Sequence, residues 1–582
     1  MDDRFGLLTA GLRTALPRHR ILRATLDWSY ELLSEPERRL LCYSAIFPAG
    51  FTLEAASAVH PGRRVSSILE IIADLVAKSL LLLDASASGG RWRMLETIRA
   101  YALEKLVETG EADKIARLAA EYFRDLFRSR ALGSPRQSES GDKSNDRREL
   151  DNVRAAIDWA LSPNGDQRVG LELTAESAPL WFQLTLMEEY RQRAETALKR
   201  LQVQGSPDDE QEMRLQVAFG QALWYTDSFG NLESMRGAFK RAGELAERSG
   251  NTDIRLKALW GTWATNRGSG NHESARMAAI QYETIADLTG DKDSIILGAR
   301  MLALTHHDLG NLNSAGQHVT SVLRRAPRVA AAPGNNLQVD ARAAMLTLLA
   351  RVKWLQGFAD QAVAAAREAI DAALRTHHWF SICYVLFFAG GPVSLWIGDL
   401  TEAENRLEML RDRTGAGYSE YAGFNRFSGI YAAVLRLRRG NESDALAAAY
   451  IEPRMQFPTI AGLGEMTRHP SISVPFPDDI RCDAPWSLPE VLRVDAELLL
   501  WRGGPGAVSG AEMKLQRSLE LARQQSALSW ELRTASSLAR LWIGQDRPSE
   551  ARELLAPVYS KFTEGFATLD VVAARAILES LH

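Results

Sequence analysis

Apolar residues recur at spacings of three and four along most of the chain, which is the pattern of amphipathic helices. The first such segment covers 22–33, and Ser34 to Glu37 then has the form of a capping box that starts a second helix over about 35–46. Further helices are predicted over about 52–59 and 65–77. Helical patterning therefore dominates from the start of the chain.

The helical pattern gives way to short apolar and alternating runs from about residue 79. An apolar run at 79–83 and an alternating run at 91–94 flank a turn-rich segment at 84–90, and helices follow over about 96–108 and 113–130. Three helices followed by two short strands predict a winged helix-turn-helix with a small β-hairpin, in a domain that spans 21–131 with the helices that follow it. Residues 132–148, rich in Gly, Ser, Pro and charge, predict a flexible linker.

From residue 149 to residue 582 the helical pattern repeats around glycine turns. Successive turns are 40, 40, 47, 41, 42 and 104 residues apart, at Gly230, Gly270, Gly310, Gly357, Gly398, Gly440 and Gly544. Small residues follow each of five turns by five positions, at Ala275, Ala315, Ala362, Ala403 and Ala445. A fixed period of this length predicts a tetratricopeptide-like (TPR-like) α-solenoid, so the fold class is mainly all-α. A proline-rich excursion at about 451–489 is expected to interrupt the array.

Tryptophans lie just before several of these turns. Trp354, Trp396, Trp501 and Trp542 precede a turn glycine by two or three residues, where a large ring can cover the turn and pack on the next repeat. A core role is favoured over ligand stacking for these rings. The inner surface of the solenoid could still bind a protein or a small inducer, and six aromatic side chains are candidates to line that groove: Trp260, Trp263, His306, His307, His377 and His378.

Composition excludes several classes of protein. The net charge of -4 gives no overall attraction to nucleic acid or to an anionic membrane. Three cysteines far apart provide no disulfide framework and fit a cytoplasmic protein. The uncharged stretch 379–398 is long enough to span a bilayer, but Gly390-Gly391-Pro392 interrupts it, so we expect two buried repeat helices that meet there and no membrane span.

No motif for catalysis is present in the sequence. Phosphate loops, HExxH, GxSxG and GxGxxG are all absent, and Gly503-Gly504-Pro505-Gly506 lacks the Lys-Ser/Thr step of a phosphate loop. Adjacent helical residues point about 100° apart, so neither histidine pair is a ready chelate. We therefore expect no enzymatic activity, no cofactor and no metal.

The winged helix raises the question of DNA binding. The predicted recognition helix, VSSILEIIADLVA at 65–77, contains Glu70 and Asp74 but no Arg, Lys, Asn or Gln. Base reading needs such donors, and two carboxylates would be repelled by phosphates. We therefore expect this helix to pack on a neighbouring protein element. If it does bind DNA, the candidate phosphate contacts are Arg63, Arg64, Arg91 and Arg93.

Four stretches resemble one group of bacterial regulators. LRATLDWSYELLSEPERRLLCYSAIFPAGF at 22–51 and MLETIRAYALEKLVETGEAD at 94–113 resemble the winged-helix segment of STAND or NB-ARC-type signal-transduction ATPases, ELDNVRAAIDWAL at 149–161 resembles the start of their repeats, and SWELRTASSLARLW at 529–542 resembles their last repeats. The resemblance implies a TPR-like sensor joined by a winged helix to a nucleotide switch. No position here matches the ATP-binding residues of those proteins, and residues 1–20 would then be the remnant of an upstream helical region.

The leading hypothesis is a non-catalytic regulatory and protein-interaction module. Its solenoid would bind a protein or a small inducer, and its winged helix would couple that event to an ATPase in cis or in trans. Two alternatives stay open: a DNA-binding transcriptional regulator that uses the winged helix directly, and a small-molecule-binding solenoid that acts alone.

Overall fold

The structure, a computed structural model, divides into two compact units. It describes residues 17–84, 90–131, 143–184, 186–203, 208–227, 232–325, 339–415, 431–432, 435–436, 438–439 and 485–581. The N-terminal unit is Met1–Gln211 and the C-terminal unit is Glu212–His582. The turns expected at Gly230 and Gly440, Ala445 and most of the proline-rich excursion lie outside the described residues.

The N-terminal unit begins with four helices and a two-stranded hairpin. These are α1 Pro17–Glu31, α2 Glu35–Ser44, α3 Leu53–Ala58, α4 Val65–Ala77, β1 Leu82–Leu83 and β2 Trp92–Arg93. The strands pair antiparallel, with Leu82 opposite Arg93. The capping box predicted at Ser34 is confirmed, since its backbone N–H donates to the Glu37 carboxylate at 2.8 Å. Helices α2 to α4 followed by the hairpin confirm the winged helix-turn-helix.

A glycine fixes the approach of the chain to the wing. Gly50 has φ +79°, and a Cβ atom there would lie 2.5 Å from the Trp92 carbonyl oxygen. Only glycine tolerates both the left-handed backbone and that close contact. The next residue, Phe51, then exchanges backbone hydrogen bonds with Trp92 and is buried.

The rest of this unit is helical. It contains α5 Glu96–Glu108, α6 Ala112–Ala131, α7 Lys143–Ala160, α8 Gln167–Glu176, α9 Ala178–Gln183 and α10 Met187–Val203. Helix α7 begins at Lys143, inside the range expected to be linker, and residues 132–142 lie outside the described part. Helices α7 to α10 also group with the winged helix, whereas the sequence placed the boundary before residue 149.

The C-terminal unit is built of helix pairs. They are α11 Asp209–Asp227, α12 Leu232–Ser249, α13 Thr252–Gly268, α14 His272–Thr289, α15 Lys292–Asp308, α16 Leu312–Arg325, α17 Ala341–Leu355, α18 Ala359–Arg375, α19 Trp379–Val385, a π-helical turn Leu386–Gly390, α20 Gly391–Ile397, α21 Leu400–Gly415, a 3-10 turn Pro485–Ser487, α22 Leu488–Arg502, α23 Ala507–Gln524, α24 Leu528–Ile543, α25 Pro548–Tyr559 and α26 Leu569–Ser580. Consecutive helices pack on one another, so the predicted TPR-like α-solenoid is confirmed.

The glycine turns behave as predicted at four positions. Gly270, Gly310, Gly357 and Gly398 all have φ between +78° and +92°. The small residues that follow them, Ala275, Ala315, Ala362 and Ala403, are buried. Gly544 differs, because its φ is −67° and Asp546 takes the left-handed conformation in that turn.

The expected helix break at Gly390-Gly391-Pro392 is wrong. Helix α19, the π turn and α20 follow one another without interruption from Trp379 to Ile397. The π turn already departs from regular α-helical hydrogen bonding. The proline that follows it therefore does not break the helix. This segment is the one candidate membrane span among the described residues, and 78% of it is buried inside the unit.

The last helices fold back onto the middle ones. Ser529 at the start of α24 donates to the Trp354 carbonyl at 2.5 Å, and Gln361 Nε2 donates to Glu564 at 3.0 Å. Four rings meet there, which we call the tryptophan cluster: Trp354, Trp396, Trp486 and Trp530. The array is therefore closed by contacts between residues 175 and 203 positions apart.

The core role predicted for the turn tryptophans holds fully for two of the four and in part for Trp542, which packs against the core of the last helices. Trp354 and Trp396 are buried, and their rings stack at 4.5 Å. Trp542 is half-buried and donates to Glu512 at 2.7 Å. The prediction is wrong for Trp501, which is 59% exposed, because α22 ends one residue later and the chain turns away through left-handed glycines.

Candidate functional site

The outer face of α4 is apolar and acidic. Ile68, Ile72 and Leu75 point into the core of the winged helix. Beside this buried face, Val65 is 53% exposed and Leu69 is 46% exposed. Glu70 and Asp74 are also exposed, farther round the helix. Exposed aliphatic side chains suit contact with another protein, and exposed carboxylates repel phosphate.

The four arginines proposed as phosphate contacts differ in exposure. Arg63, Arg64 and Arg93 are exposed. Arg91 is 5% exposed, and its guanidinium pairs with Glu149 of α7 and donates to the Gly50 carbonyl at 2.9 Å. The Arg91 side chain therefore holds the wing against α7 and is directed inward.

A small pocket lies among the first helices of successive repeats in the C-terminal unit. We call it the inner pocket. It encloses about 40 Å³ and is lined by Arg267, Leu304, His307, Asp308, Thr347, Leu348, Arg351, Tyr384, Phe388 and Trp486. These residues come from α13, α15, α17, α19, the π turn and the 3-10 turn before α22. The pocket thus joins the middle repeats to the returning C-terminal helices.

Asp308 is the anionic centre of this pocket. The Arg267 guanidinium pairs with its carboxylate, and His307 Nδ1–H donates to Oδ1 at 3.2 Å. Burial acts to raise the pKa of Asp308, but the positive charge of Arg267 and the hydrogen bond from His307 outweigh it, so the pKa lies below its usual range. The carboxylate is therefore ionised at neutral pH.

Arg351 forms the second wall. Its Nε–H donates to His307 Nε2 at 3.4 Å and its Nη1 donates to the Phe388 carbonyl at 3.3 Å. The guanidinium lies 4.5 Å from the centre of the Trp486 ring, within cation–π range. Burial lowers the pKa of His307 to about 4, so His307 is neutral and can accept this hydrogen bond.

Two further cationic or polar groups lie close by without full partners. Arg300 is on α15, two turns before His307, and its buried Nε atom has no hydrogen-bond partner; burial lowers the pKa of Arg300, and Tyr384 is among the groups that offset this. His272 is 5% exposed, and neither ring nitrogen has a hydrogen-bond partner. Its Nδ1 atom lies 4.0 Å from Asp308 Oδ2.

The structure brings together two of the six predicted groove residues. Trp263 Nε1 donates to Thr305, two residues before His307, at 2.8 Å, and the Trp263 ring lies under Arg267. Both rings are buried, so Trp263 supports the inner pocket while His307 lines it.

The other four predicted residues lie elsewhere. Trp260 packs on Trp224 and Phe239, and His306 stacks on His318 of α16 at 5.4 Å. His377 and His378 lie between α18 and α19, where His378 Nδ1 is 2.8 Å from Ser381 Oγ. These histidines form no common site, and no group of three or more metal-ligating side chains occurs among the residues described.

Sequence reasoning did not select the charged residues that line the inner pocket. Arg267, Asp308 and Arg351 lie in the first helix of successive repeats, 41 and 43 residues apart. A charge at the same place in consecutive repeats, on helices that must be buried, was the available signal. Trp486 gave no comparable signal, because it lies in the proline-rich stretch outside the glycine repeat.

Residues 33–107 match a family described as "Winged helix-turn-helix domain". This stretch contains α2 to α4, the hairpin and most of α5. The N-terminal unit carries a winged helix-turn-helix domain.

Two curated mycobacterial proteins are similar to parts of the chain. The "Putative HTH-type transcriptional regulator" of Mycobacterium tuberculosis is 40% identical over 185 residues, which is 31% of this chain and 20% of that protein. An uncharacterized protein of the same organism is 37% identical over 118 residues, 20% of this chain and 30% of that protein. The matches thus span less than a third of the length of either relative.

Among solved structures, the STAND protein with a tetratricopeptide repeat sensor PH0952 from Pyrococcus horikoshii is 14% identical, covers 79% of this chain and 69% of its own, and has a TM-score of 0.41. The Rap protein complexed with Competence and Sporulation Factor is 12% identical, covers 75% and 99%, and has a TM-score of 0.42.

Proposed function

We propose that the chain is a non-catalytic regulatory and protein-interaction module. The winged helix docks on a protein, which we take to be a STAND-type ATPase in cis or in trans. The TPR-like solenoid senses a protein partner or a small inducer. The winged helix then relays that event to the ATPase, in the cytoplasm.

The composition of the α4 face is the observation that carries this proposal. In a DNA-reading winged helix, this helix must offer donors to bases and cations to phosphates. Here no exposed residue of α4 is a cation or an amide; the exposed residues are Val65, Ser66, Leu69, Glu70, Ala73, Asp74 and Ala77. Exposed aliphatic side chains at helical spacing favour burial against another protein.

A DNA-binding regulator is the second candidate function. The 40%-identical relative has "transcriptional regulator" in its name. Arg63 and Arg64 precede α4 and are exposed, as is Arg93 on the wing. These arginines could contact a phosphate backbone, but the α4 face between them would meet it with two carboxylates.

A bacterial two-hybrid screen with the full chain as bait tests the docking role. The library is made from the genome of the source organism, so it contains fragments of separate genes and of the sequence upstream of this one. We expect prey that carry a phosphate-loop ATPase domain, and we expect Leu69→Glu to abolish their interaction, because it places a charge at the centre of the apolar stripe.

Val107→Glu is the matched control, since Val107 is 66% exposed on α5, away from that stripe. It should leave the interaction intact. Prey that bind equally well to the wild-type and Leu69→Glu baits would contradict docking through α4. ATP hydrolysis by the purified chain would contradict the non-catalytic role.

A further inference from the structure

We propose that an apolar trough among the last helices binds a medium-chain carboxylic acid, with its carbon chain in the trough and its carboxylate on Arg540. The trough encloses about 350 Å³, and we call it the C-terminal trough. It is lined by Glu497, Leu500, Val508, Leu515, Ser537, Arg540, Leu541, Gly544 and Gln545. This inference deepens the proposed sensing role of the solenoid and rests on that role for its biological meaning.

Three helices each turn one face toward the trough. Its lining positions are three residues apart on α22, seven apart on α23 and three or four apart on α24, so each set lies on one side of its helix. Leu515 is fully buried at the floor, and Leu500 and Leu541 are half-buried against it. Val508 is 47% exposed at the rim. An apolar concavity of this volume lies within the range of about 300–1,000 Å³ that is typical of small-ligand sites.

The turn between α22 and α23 explains why this space is open. It consists of residues 503–506 and contains three left-handed glycines, whereas the turn between α20 and α21 has only residues 398 and 399. Trp501 has the same place before its turn as Trp396. The Trp396 ring is buried, but Trp501 is 59% exposed and does not line the trough. The longer turn therefore leaves the trough without a large ring to fill it.

The guanidinium of Arg540 is available to a ligand. Arg540 is exposed, and it has no hydrogen-bond or ion-pair partner in the part of the chain that the structure describes. The arginines before and after it on the same face of the sequence differ, because Arg533 pairs with Asp570 and Arg547 pairs with Glu550. A guanidinium offers two parallel N–H groups that match the two oxygens of a carboxylate.

The other polar side chains of the trough already have partners. Glu497 pairs with Arg493 at 2.6 Å and accepts from Ser537 Oγ at 2.7 Å. Gln545 Oε1 accepts from Arg547 at 3.0 Å. A bound peptide would bring a backbone donor and acceptor with each residue, and these would lack partners in the trough. A ligand with a single anionic group and an apolar body therefore fits better than a peptide.

Glu497 connects the trough to the fold-back of the C-terminal helices. Its partner Arg493 also pairs with Glu490 at 2.7 Å, and Glu490 pairs with Arg533 at 3.0 Å. Arg533 lies 5.0 Å from the centre of the Trp354 ring in the tryptophan cluster. A ligand in the trough would therefore lie at one end of a continuous row of contacts that reaches the closure of the array.

Isothermal titration calorimetry of the full chain at pH 7 tests the proposal. The probes are sodium hexanoate, octanoate and decanoate, with decylammonium chloride as a cation of matched chain length. We expect decanoate to bind one site with a Kd below about 1 mM. Affinity should fall about tenfold for each two methylenes removed, because less apolar surface is covered. Decylammonium should bind at least about tenfold more weakly than decanoate, because Arg540 repels it.

Three variants locate the binding. Arg540→Gln should weaken decanoate binding about fivefold and remove the preference over decylammonium. Val508→Asp, which places a carboxylate at the rim, should weaken decanoate binding at least about tenfold. Both residues are exposed, so we expect both variants to fold. Arg502→Gln is the matched control, because Arg502 is exposed on α22 and does not line the trough, and it should bind as the wild type does.

Several results would overturn the proposal. They are the absence of saturation by decanoate below about 5 mM, equal affinities for decanoate and decylammonium, and an unchanged preference in Arg540→Gln. Tighter binding of N-acetyl-leucyl-leucine than of decanoate would overturn it in favour of a peptide.

This test and the test of the docking role have separate outcomes. The Leu69-dependent interaction does not require the trough. Its survival without decanoate binding would overturn this inference alone, whereas decanoate binding without that interaction would overturn only the docking role.

Discussion

Replacing Trp530 by alanine is expected to cost about 3–5 kcal/mol of unfolding free energy, as for other fully buried aromatic rings. Trp530 has no exposed surface, and its ring makes an edge contact with that of Trp354 at 4.7 Å. Its Nε1–H donates to the Trp486 carbonyl at 3.2 Å, and Arg533 lies over its ring. The substitution therefore leaves a cavity where α24 meets α17, and it removes a hydrogen bond that holds the 3-10 turn.

Chemical denaturation followed by circular dichroism measures this loss. Trp501→Ala is the control, because that ring is 59% exposed on α22 and its removal should change stability by less than about 0.5 kcal/mol. Limited proteolysis should cut the C-terminal helices of the Trp530 variant first. Similar losses for the two variants would mean that the tryptophan cluster does not hold the fold-back.

Replacing Glu490 by glutamine is expected to cost about 3 kcal/mol, near the lower end for a broken buried ion pair. Glu490 is 2% exposed; its carboxylate pairs with Arg493 at 2.7 Å and with Arg533 at 3.0 Å. Glutamine keeps the shape but leaves two buried guanidinium groups short of one negative charge. Glu497 and Asp570 still neutralise them in part, so the loss should not be larger.

Glu520→Gln provides the comparison, since Glu520 and its partner Arg517 are both mostly exposed and such pairs contribute less than about 1 kcal/mol. The pH dependence gives an independent check. Burial acts to raise the pKa of Glu490, but the two arginines hold it below the ordinary glutamate value of about 4.5. The contribution of ionised Glu490 to the free energy of unfolding is thus complete above that pH and is lost as the pH falls further. The glutamine variant should lack this pH-dependent contribution. If the wild type and the Glu490→Gln variant lost stability alike at acid pH, Glu490 would not contribute this pH dependence.

Local patterns in the sequence were sufficient to predict most of the fold. Apolar spacing and the Ser34 capping box predicted the helices of the winged helix, and the glycine period predicted where the repeat turns lie. These features are set by residues a few positions apart. The continuous segment from Trp379 to Ile397 was mistaken for two helices because a proline predicts a break, whereas a π turn before it absorbs the distortion.

The fold-back and the inner pocket could not be predicted in the same way. Ser529 and Trp354 are 175 positions apart, and no periodicity specifies which repeats meet when an array closes. His307 was selected from the sequence as one of a histidine pair, but its neighbours Arg267 and Arg351 were not singled out. Their burial depends on the aromatic rings of Trp263, Trp396 and Trp486, which come from three other segments.

The central claim is that the α4 face of the winged helix docks on protein and does not read DNA. Fluorescence anisotropy of the full chain with a labelled random duplex, and with the duplex upstream of its own gene, tests this most directly at about 50 mM salt, where non-specific binding is strong. We expect no saturation up to about 10 μM protein, and measurable, salt-sensitive binding once Glu70→Lys and Asp74→Lys are combined. Saturable binding of the wild type below that concentration, weakened by Arg63→Ala and Arg64→Ala, would contradict the claim and make the chain a DNA-binding regulator.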